Sequence, residues 1–293
     1  MRMPHQVVPL ALILAIQPLL HGQESSAAWP RRVLITNDNG IDDPKVAALA
    51  RAFSAQAQTW VVAPQKDRSG SSNLLSVTRT GRLMGTRKDL GTGISAWAVD
   101  GYPADCVLLA RYGILRDNPP DLVVSGINGG ANLAHDWFGS GTIGAARTGA
   151  FLGLPAIAVS GLDDDIPGAV EAATGWIVEL AQSPLVRNLR PGQYLTVSIP
   201  RLPPSSIKGV RIAERAGLLL DLSFKSAESG ETKRVWTLAM KEQDPSSAPG
   251  RDAALDAAGY IVVVPMRADE HDRDLLGKLQ ASDLPAWSPA APR

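Results

Sequence analysis

From Arg32 onward the chain alternates short runs of β-branched and apolar residues with longer segments whose apolar positions recur at helical spacing. The short runs Val33 to Thr36, Trp60 to Ala63, Ala96 to Val99, Leu122 to Ser125 and Ala156 to Ser160 predict strands. Pro44 to Ala55, Pro103 to Ile114 and Thr142 to Phe151 predict the helices between them, and Gly168 to Gln182 predicts another. Pro44 follows Asp43 and Pro103 follows Gly101-Tyr102, so both prolines fall in a first helical turn, where a missing N–H costs nothing. Strand and helix alternating in this way predict an α/β fold: a parallel sheet with helices on its faces.

After Pro191 the pattern changes. The strand candidates Tyr194 to Ile199, Val210 to Ala213, Val235 to Met240 and Tyr260 to Val264 are separated by long polar stretches. Ser226 to Arg234 and Asp244 to Gly250 are too polar to hold core positions and read as protruding loops or hairpin arms. The expected organisation is therefore a catalytic α/β domain over residues 29–190 and a smaller β-rich extension over 191–280. A tail with Pro285, Pro289 and Pro292 follows over 281–293 and is expected to be mobile. With few strands and long polar arms, the extension has little core of its own, which predicts association with a second copy.

The N-terminal segment reads as a signal peptide spanning residues 1–28. Arg2 and His5 precede the apolar run Val7 to Leu20, and small or polar residues from Gly22 to Ala28 offer cleavage sites. Pro9, Gln17 and Pro18 interrupt the run, which is too short for a comfortable membrane span. The expectation is an exported protein, periplasmic or secreted, with no stable membrane association after cleavage. Cleavage also removes His5 and His21, leaving His135 and His271 and excluding any scheme that needs a histidine cluster.

Composition narrows the chemistry further. The 293 residues are 45% hydrophobic and 20% charged, which argues against disorder, collagen or a coiled coil. Lys plus Arg equals Asp plus Glu at 29 each, so no global basic field exists to hold a nucleic-acid duplex or a membrane surface. Cys106 is the single cysteine and sits in a helical apolar run, so neither a disulfide nor a zinc site of thiolates is expected.

In an open parallel sheet, ligands bind beyond the carboxyl ends of the strands. The first strand ends in Thr36-Asn37-Asp38-Asn39-Gly40, and the second leads through Ala63-Pro64 into Asp67-Arg68-Ser69-Gly70-Ser71-Ser72-Asn73. The fourth ends in Ser125-Gly126-Ile127-Asn128-Gly129-Gly130-Ala131-Asn132, after which Ser140-Gly141-Thr142 opens a helix of small residues. Together these loops offer a carboxylate, amides, hydroxyls and a helix N-terminus. Oxygen-rich, nitrogen-poor equipment of this kind suits a hard divalent cation such as Mg²⁺ or Mn²⁺, and the helix N-terminus suits a phosphate. A metal beside a phosphate site points to metal-assisted hydrolysis of a phosphate ester. Asp43, before Pro44, reads as an N-cap instead of a ligand, and Asp163-Asp164-Asp165 as a surface turn. His135 reads as a hydrogen-bonding loop residue, and His271 as part of a solvated charged segment.

Five ordered blocks carry a resemblance: ITNDNGIDDP (35 to 44), VVAPQKDRSGSSN (61 to 73), GYPADCV (101 to 107), VVSGINGGANLAHDWFGSGTIGAA (123 to 146) and LPAIAVS (154 to 160). In this order and spacing they resemble the SurE survival-protein family of metal-dependent nucleotide phosphatases, strongly over about residues 32–200 and weakly beyond. The resemblance implies a Rossmann-like domain with a smaller β extension used in assembly, as a homodimer or homotetramer. It implies a phosphoric monoester hydrolase of the 5'/3'-nucleotidase type with one divalent ion, Mg²⁺ or Mn²⁺, per subunit. Asp38 matches the first metal carboxylate, and Asn39 stands where a second is typical; these two are the catalytic candidates. Ser69 and Asn128 match the remaining metal positions, and Ser140, Gly141 and Thr142, with Asn132, fall where phosphate binds. The chain departs from the pattern at Asn39, at Gly139 in place of a tyrosine, at Thr148 in place of an acidic residue, and at Thr196 and Ser198 in place of paired asparagines.

Two other readings use the same loops. Gly139-Ser140-Gly141-Thr142-Ile143-Gly144 formally matches the dinucleotide fingerprint of an oxidoreductase, although about 13 residues separate it from the preceding strand. A non-catalytic exported protein that binds a nucleotide or phosphate would need only the pocket.

Overall fold

The computed structural model describes residues 29–162, 165–228, 232–270, 272, 275 and 276; the expected signal peptide, the expected tail, Asp163, Asp164 and His271 lie outside the described residues. Among the described residues eleven strands are formed: β1 (Arg32–Thr36), β2 (Gln58–Pro64), β3 (Gly85–Lys88), β4 (Ile94–Val99), β5 (Leu122–Asn128), β6 (Ala156–Ser160), β7 (Gln193–Ser198), β8 (Val210–Ile212), β9 (Leu220–Glu228), β10 (Arg234–Glu242) and β11 (Ile261–Arg267). The helices are α1 (Pro44–Ser54), α2 (Val77–Thr80), α3 (Pro103–Leu109), α4 (Gly141–Phe151), α5 (Ala169–Gln182), α6 (Pro184–Arg187) and α7 (Asp252–Ala257).

Nine strands form one sheet in the order β3-β4-β2-β1-β5-β6-β7-β11-β8. Neighbours from β4 to β7 are parallel, while β3 and β11 each pair antiparallel with their inner neighbour. The alternation within β1 explains its place. Val33 and Ile35 face one layer with Leu49 and Phe53 of α1 and Ile177 of α5, whereas Leu34 faces the other with Cys106 of α3 and Ile143 of α4. Leu49 is completely buried and Phe53 nearly so, and burial of such a side chain is worth about 1.5–3 kcal/mol. Asp43 caps α1 as expected, accepting the Lys45 N–H at 2.8 Å ahead of Pro44. The predicted helix from Pro103 to Ile114 is α only to Leu109 and continues as a wider π-helical turn over Ala110–Ile114.

The change of character after Pro191 is not a break in the sheet. β7 pairs parallel with β6 through Ile157 to Leu195 and Ser160 to Ser198, so the sheet runs across residue 190 uninterrupted. Burial does not separate β7 from the inner strands β1, β5 and β6, which it matches. What stands apart is the β9–β10 hairpin, a separate two-stranded sheet. Its first strand, Leu220–Glu228, and the short edge strand β3 were not predicted; both are largely exposed and carry no continuous apolar run.

Candidate functional site

The chain leaves β1 outward to β2 and β4, then returns through α3 to β5 on the other side of β1. The crevice between the ends of β1 and β5 is thus the topological switch point, where open α/β sheets bind ligands. Asp38 follows β1 and Asn128 ends β5.

Asp38 is the centre of this edge. It is 3% exposed, and its carboxylate meets the first turn of α4: the Thr142 N–H donates to Oδ2 at 3.1 Å and the Thr142 hydroxyl to Oδ1 at 2.5 Å. The positive end of the helix dipole favours an anion there. Burial nevertheless outweighs these bonds and holds the Asp38 carboxyl above the usual carboxylate value, with the negative charge of Asp67 adding to the effect. The carboxylate is accordingly a stronger base than an exposed aspartate.

Small residues permit this contact. A Cβ at Gly141 would stand 2.6 Å from Ser71 Oγ and 2.9 Å from Asp38 Cβ, and one at Gly144 would stand 2.0 Å from the Ser72 carbonyl oxygen. The helix therefore seats on both the Asp38 loop and the serine loop. Ser140 caps it, its hydroxyl oxygen accepting the Ile143 N–H at 3.1 Å. Asn73 fastens the serine loop by donating to the Gly144 carbonyl at 2.7 Å and to the Thr148 hydroxyl at 2.8 Å. Thr148, a departure from the family pattern, is therefore an anchor for that loop.

The remaining candidates divide. Ser69 is exposed and bound to Asp67, donating to its Oδ1 from both N–H, at 2.7 Å, and hydroxyl, at 2.6 Å. The adjoining Arg68 N–H donates to the Asp38 carbonyl at 2.7 Å, which keeps this turn beside Asp38. Asn39 is part-buried, and its side-chain carbonyl oxygen is buried with no donor. Asn128 donates to the Gly130 carbonyl at 2.6 Å, within its own loop. Asn132 is turned elsewhere: its amide donates to the Ser160 hydroxyl at 2.6 Å, at the end of β6. Thus Asp38, Ser140, Gly141 and Thr142 form one bonded unit, Ser69 adjoins it through Arg68, and Asn132 belongs to a second network.

That second network was missed by sequence reasoning. Asp252, at the start of α7, is fully buried and accepts the N–H groups of Ala134 at 2.9 Å, Ala216 at 2.7 Å and Ala253 at 2.9 Å. Arg215 lies 3.3 Å from it and donates also to the Asn132 carbonyl at 2.9 Å and the Thr196 hydroxyl at 2.8 Å. Ala134, held at a φ of +45°, is a residue that needs such support. The only signal in the sequence was a pair of charged residues in a weakly patterned region. Ser71, whose buried hydroxyl has no partner, was quoted within its loop and likewise given no role.

Among the described residues no group of three His, Cys, Asp or Glu is gathered that could hold a metal. A cation at this edge would therefore rest on one carboxylate and neutral oxygens. The undonated carbonyl oxygen of Asn39 beside Asp38 fits a hard, partly hydrated ion of that kind. His135 pairs with Asp136 at 3.1 Å and makes no contact with this unit, and Cys106 is a buried core residue whose thiol burial pushes well above its ordinary value. The dinucleotide alternative loses its geometry: residues 129–139, including a 3₁₀ turn over Asp136–Phe138, separate β5 from the glycine-rich helix start.

An open parallel sheet with a basic, buried carboxylate against a helix N-terminus at its switch point defines an anion-handling α/β protein. Within that class the chain belongs to the SurE family: the family model described as survival protein SurE matches residues 33–218. It is 36% identical over 265 residues to the 5'-nucleotidase SurE of Roseobacter denitrificans, covering 85% of this chain and 98% of that one. It is 37% identical over 272 residues to that of Ruegeria pomeroyi, covering 86% and 99%. Among solved structures, the SurE protein of Aquifex aeolicus superimposes with a TM-score of 0.72 at 29% identity, covering 85% of this chain and 98% of that one.

Proposed function

We propose that this protein is a divalent-metal-dependent phosphomonoesterase that hydrolyses nucleoside monophosphates to nucleoside and phosphate. The observation that carries the reading is the Asp38–Thr142 contact, which sets a buried carboxylate against a helix N-terminus at the switch point. The name 5'-nucleotidase borne by the relatives supports the substrate class. Asp38, Asn39, Ser69 and Asn128 would hold one Mg²⁺ or Mn²⁺ per subunit; when bound, such an ion supplies Lewis acidity toward phosphoryl oxygens and acidifies water. Asp38 orients or deprotonates the attacking water. The first turn of α4, with Ser140, Gly141 and Thr142, favours negative charge on the phosphoryl group as it is transferred. Asn132 borders the same loop and is fixed by Ser160.

Two further properties belong to the proposal. The pattern of residues 1–28 supports export, which N-terminal sequencing of the mature protein tests. The β9–β10 hairpin supports a homodimer or homotetramer: Leu222, Phe224, Trp236, Leu238 and Met240 are each between 44% and 64% exposed, and the register places them on one face. An apolar face of that size on an isolated hairpin calls for a covering surface, and a second copy of the chain presents the same one.

The deciding experiment measures phosphate release from nucleoside monophosphates after chelation and after restoring Mn²⁺ or Mg²⁺. Release that depends on added metal is expected. Metal-independent release, or nucleotide binding without turnover, would sink the reading.

A further inference from the structure

Gly139 precedes α4 and Gly141, Gly144 and Gly149 lie within it, and the three within it have a packing reason to be glycine. Gly141, Gly144 and Gly149 each have a neighbouring atom within 2.9 Å of where a Cβ would stand. Gly139 has none. Its φ of −87° suits any residue, and nothing lies within 4 Å of its Cβ position. Neither backbone nor packing therefore accounts for glycine there, and its effect is to leave open space one residue before the Ser140 cap.

The residue beside this opening is Phe138, 73% exposed. An aromatic ring left in water forfeits the burial that ordinarily justifies it. The ring is not loose, however. It stands edge-on to Trp137 with centroids 5.9 Å apart, and Trp137 is itself flanked by the guanidinium groups of Arg147 at 5.0 Å and Arg215 at 5.8 Å. Arg215 in turn belongs to the Asp252 network, so the platform beneath Phe138 is tied into the body of the protein. The loop is joined to the serine loop as well, the Ser72 N–H donating to the Gly139 carbonyl at 2.9 Å.

We propose that Phe138 and the opening at Gly139 form the subsite for the leaving nucleoside, with the Phe138 ring as the stacking face for the base. The inference rests on the phosphomonoesterase reading and adds a specificity determinant to it. Two residues span at most about 7 Å, so a phosphate at the α4 N-terminus leaves the rest of a nucleotide within reach of Phe138. Every base presents a π-face, so such a platform selects for a base without choosing among bases.

The test compares kcat/KM for adenosine 5'-monophosphate with that for ribose 5-phosphate, which carries the same ester and no base. Wild type is expected to favour the nucleotide, and Phe138→Ala to lower that ratio about tenfold while Phe138→Tyr preserves it. Gly139→Leu, filling the opening, is expected to lower it also. An unchanged ratio in Phe138→Ala overturns the subsite. A wild-type enzyme that hydrolyses both esters equally well overturns it too, while leaving the phosphomonoesterase reading standing. If wild type hydrolyses neither, both fall together.

Discussion

Two buried aspartates hold the functional edge of this molecule, and they are satisfied very differently. Asp252 takes three backbone N–H groups and the Arg215 guanidinium, every one of them from the protein. Asp38 is nearly as buried, yet among the described residues its carboxylate takes only neutral donors, the Thr142 N–H and hydroxyl and its own backbone N–H, and its proton affinity is raised. A carboxylate with a full complement of donors is spent on structure; one buried with few retains basicity and lone pairs for a ligand. Burial by itself does not distinguish the two roles, whereas a count of donors does.

The sharpest break of this comparison is Asp38→Ala. Phosphate release at saturating metal is expected to fall by ~10³-fold or more, equivalent to about 4 kcal/mol, while unfolding free energy changes by about 1 kcal/mol or less. Retention of wild-type activity would remove Asp38 from the chemistry.

Asp252→Ala should behave in the opposite way. Stripping one partner from a buried ion pair leaves Arg215 uncompensated, and urea denaturation is expected to show a loss of about 3–5 kcal/mol. A loss below about 1 kcal/mol would mean that the network is ornamental.

Asn39→Asp sharpens the contrast by adding a charge beside Asp38. Calorimetry without substrate is expected to show Mn²⁺ binding ~10 to 100-fold tighter, equivalent to roughly 1.4 to 2.7 kcal/mol. Equal affinities would exclude Asn39 as a ligand whose missing charge matters.

Asp256 lies one helical turn beyond Asp252, and its Oδ1 is buried, with the Ser198 hydroxyl as the neighbouring polar group. Burial raises its carboxyl to about 6, helped by the charge of Asp252. Because the folded value exceeds the unfolded one, the stability it contributes is complete below about pH 4 and is lost as pH rises through about 6. Asp256→Asn, neutral throughout, is expected to be more stable than wild type at pH 7.5 by on the order of 1–2 kcal/mol, with a flatter profile between. Identical pH profiles of thermal unfolding would refute this.

The functional edge was more legible in the sequence than its supports. Strand β1 announces itself by β-branched residues, and Asp38 follows it directly; Ser140-Gly141-Thr142 is recognisable because a cap and small residues leave a local signature. Contacts made across the chain leave none. Nothing near Asn132 discloses that Arg215 fixes it, and nothing near Arg215 discloses Asp252. The continuation of the sheet past residue 190 was hidden for a related reason: pairing partners such as Ile157 and Leu195 are set by the fold, not by any local pattern. Phe138 was quoted within a motif and given no role, since exposure is a property of the folded chain alone.

Synthesis on the ribosome proceeds from the amino end, and Asp252 follows Ala134 by 118 residues. Every recognisable motif of the candidate site therefore emerges long before the side chain that locks the loop at Ala134. A nascent chain stalled short of residue 252 would display the complete set of motifs on an unlatched loop, so the latch can close only once Asp252 has emerged.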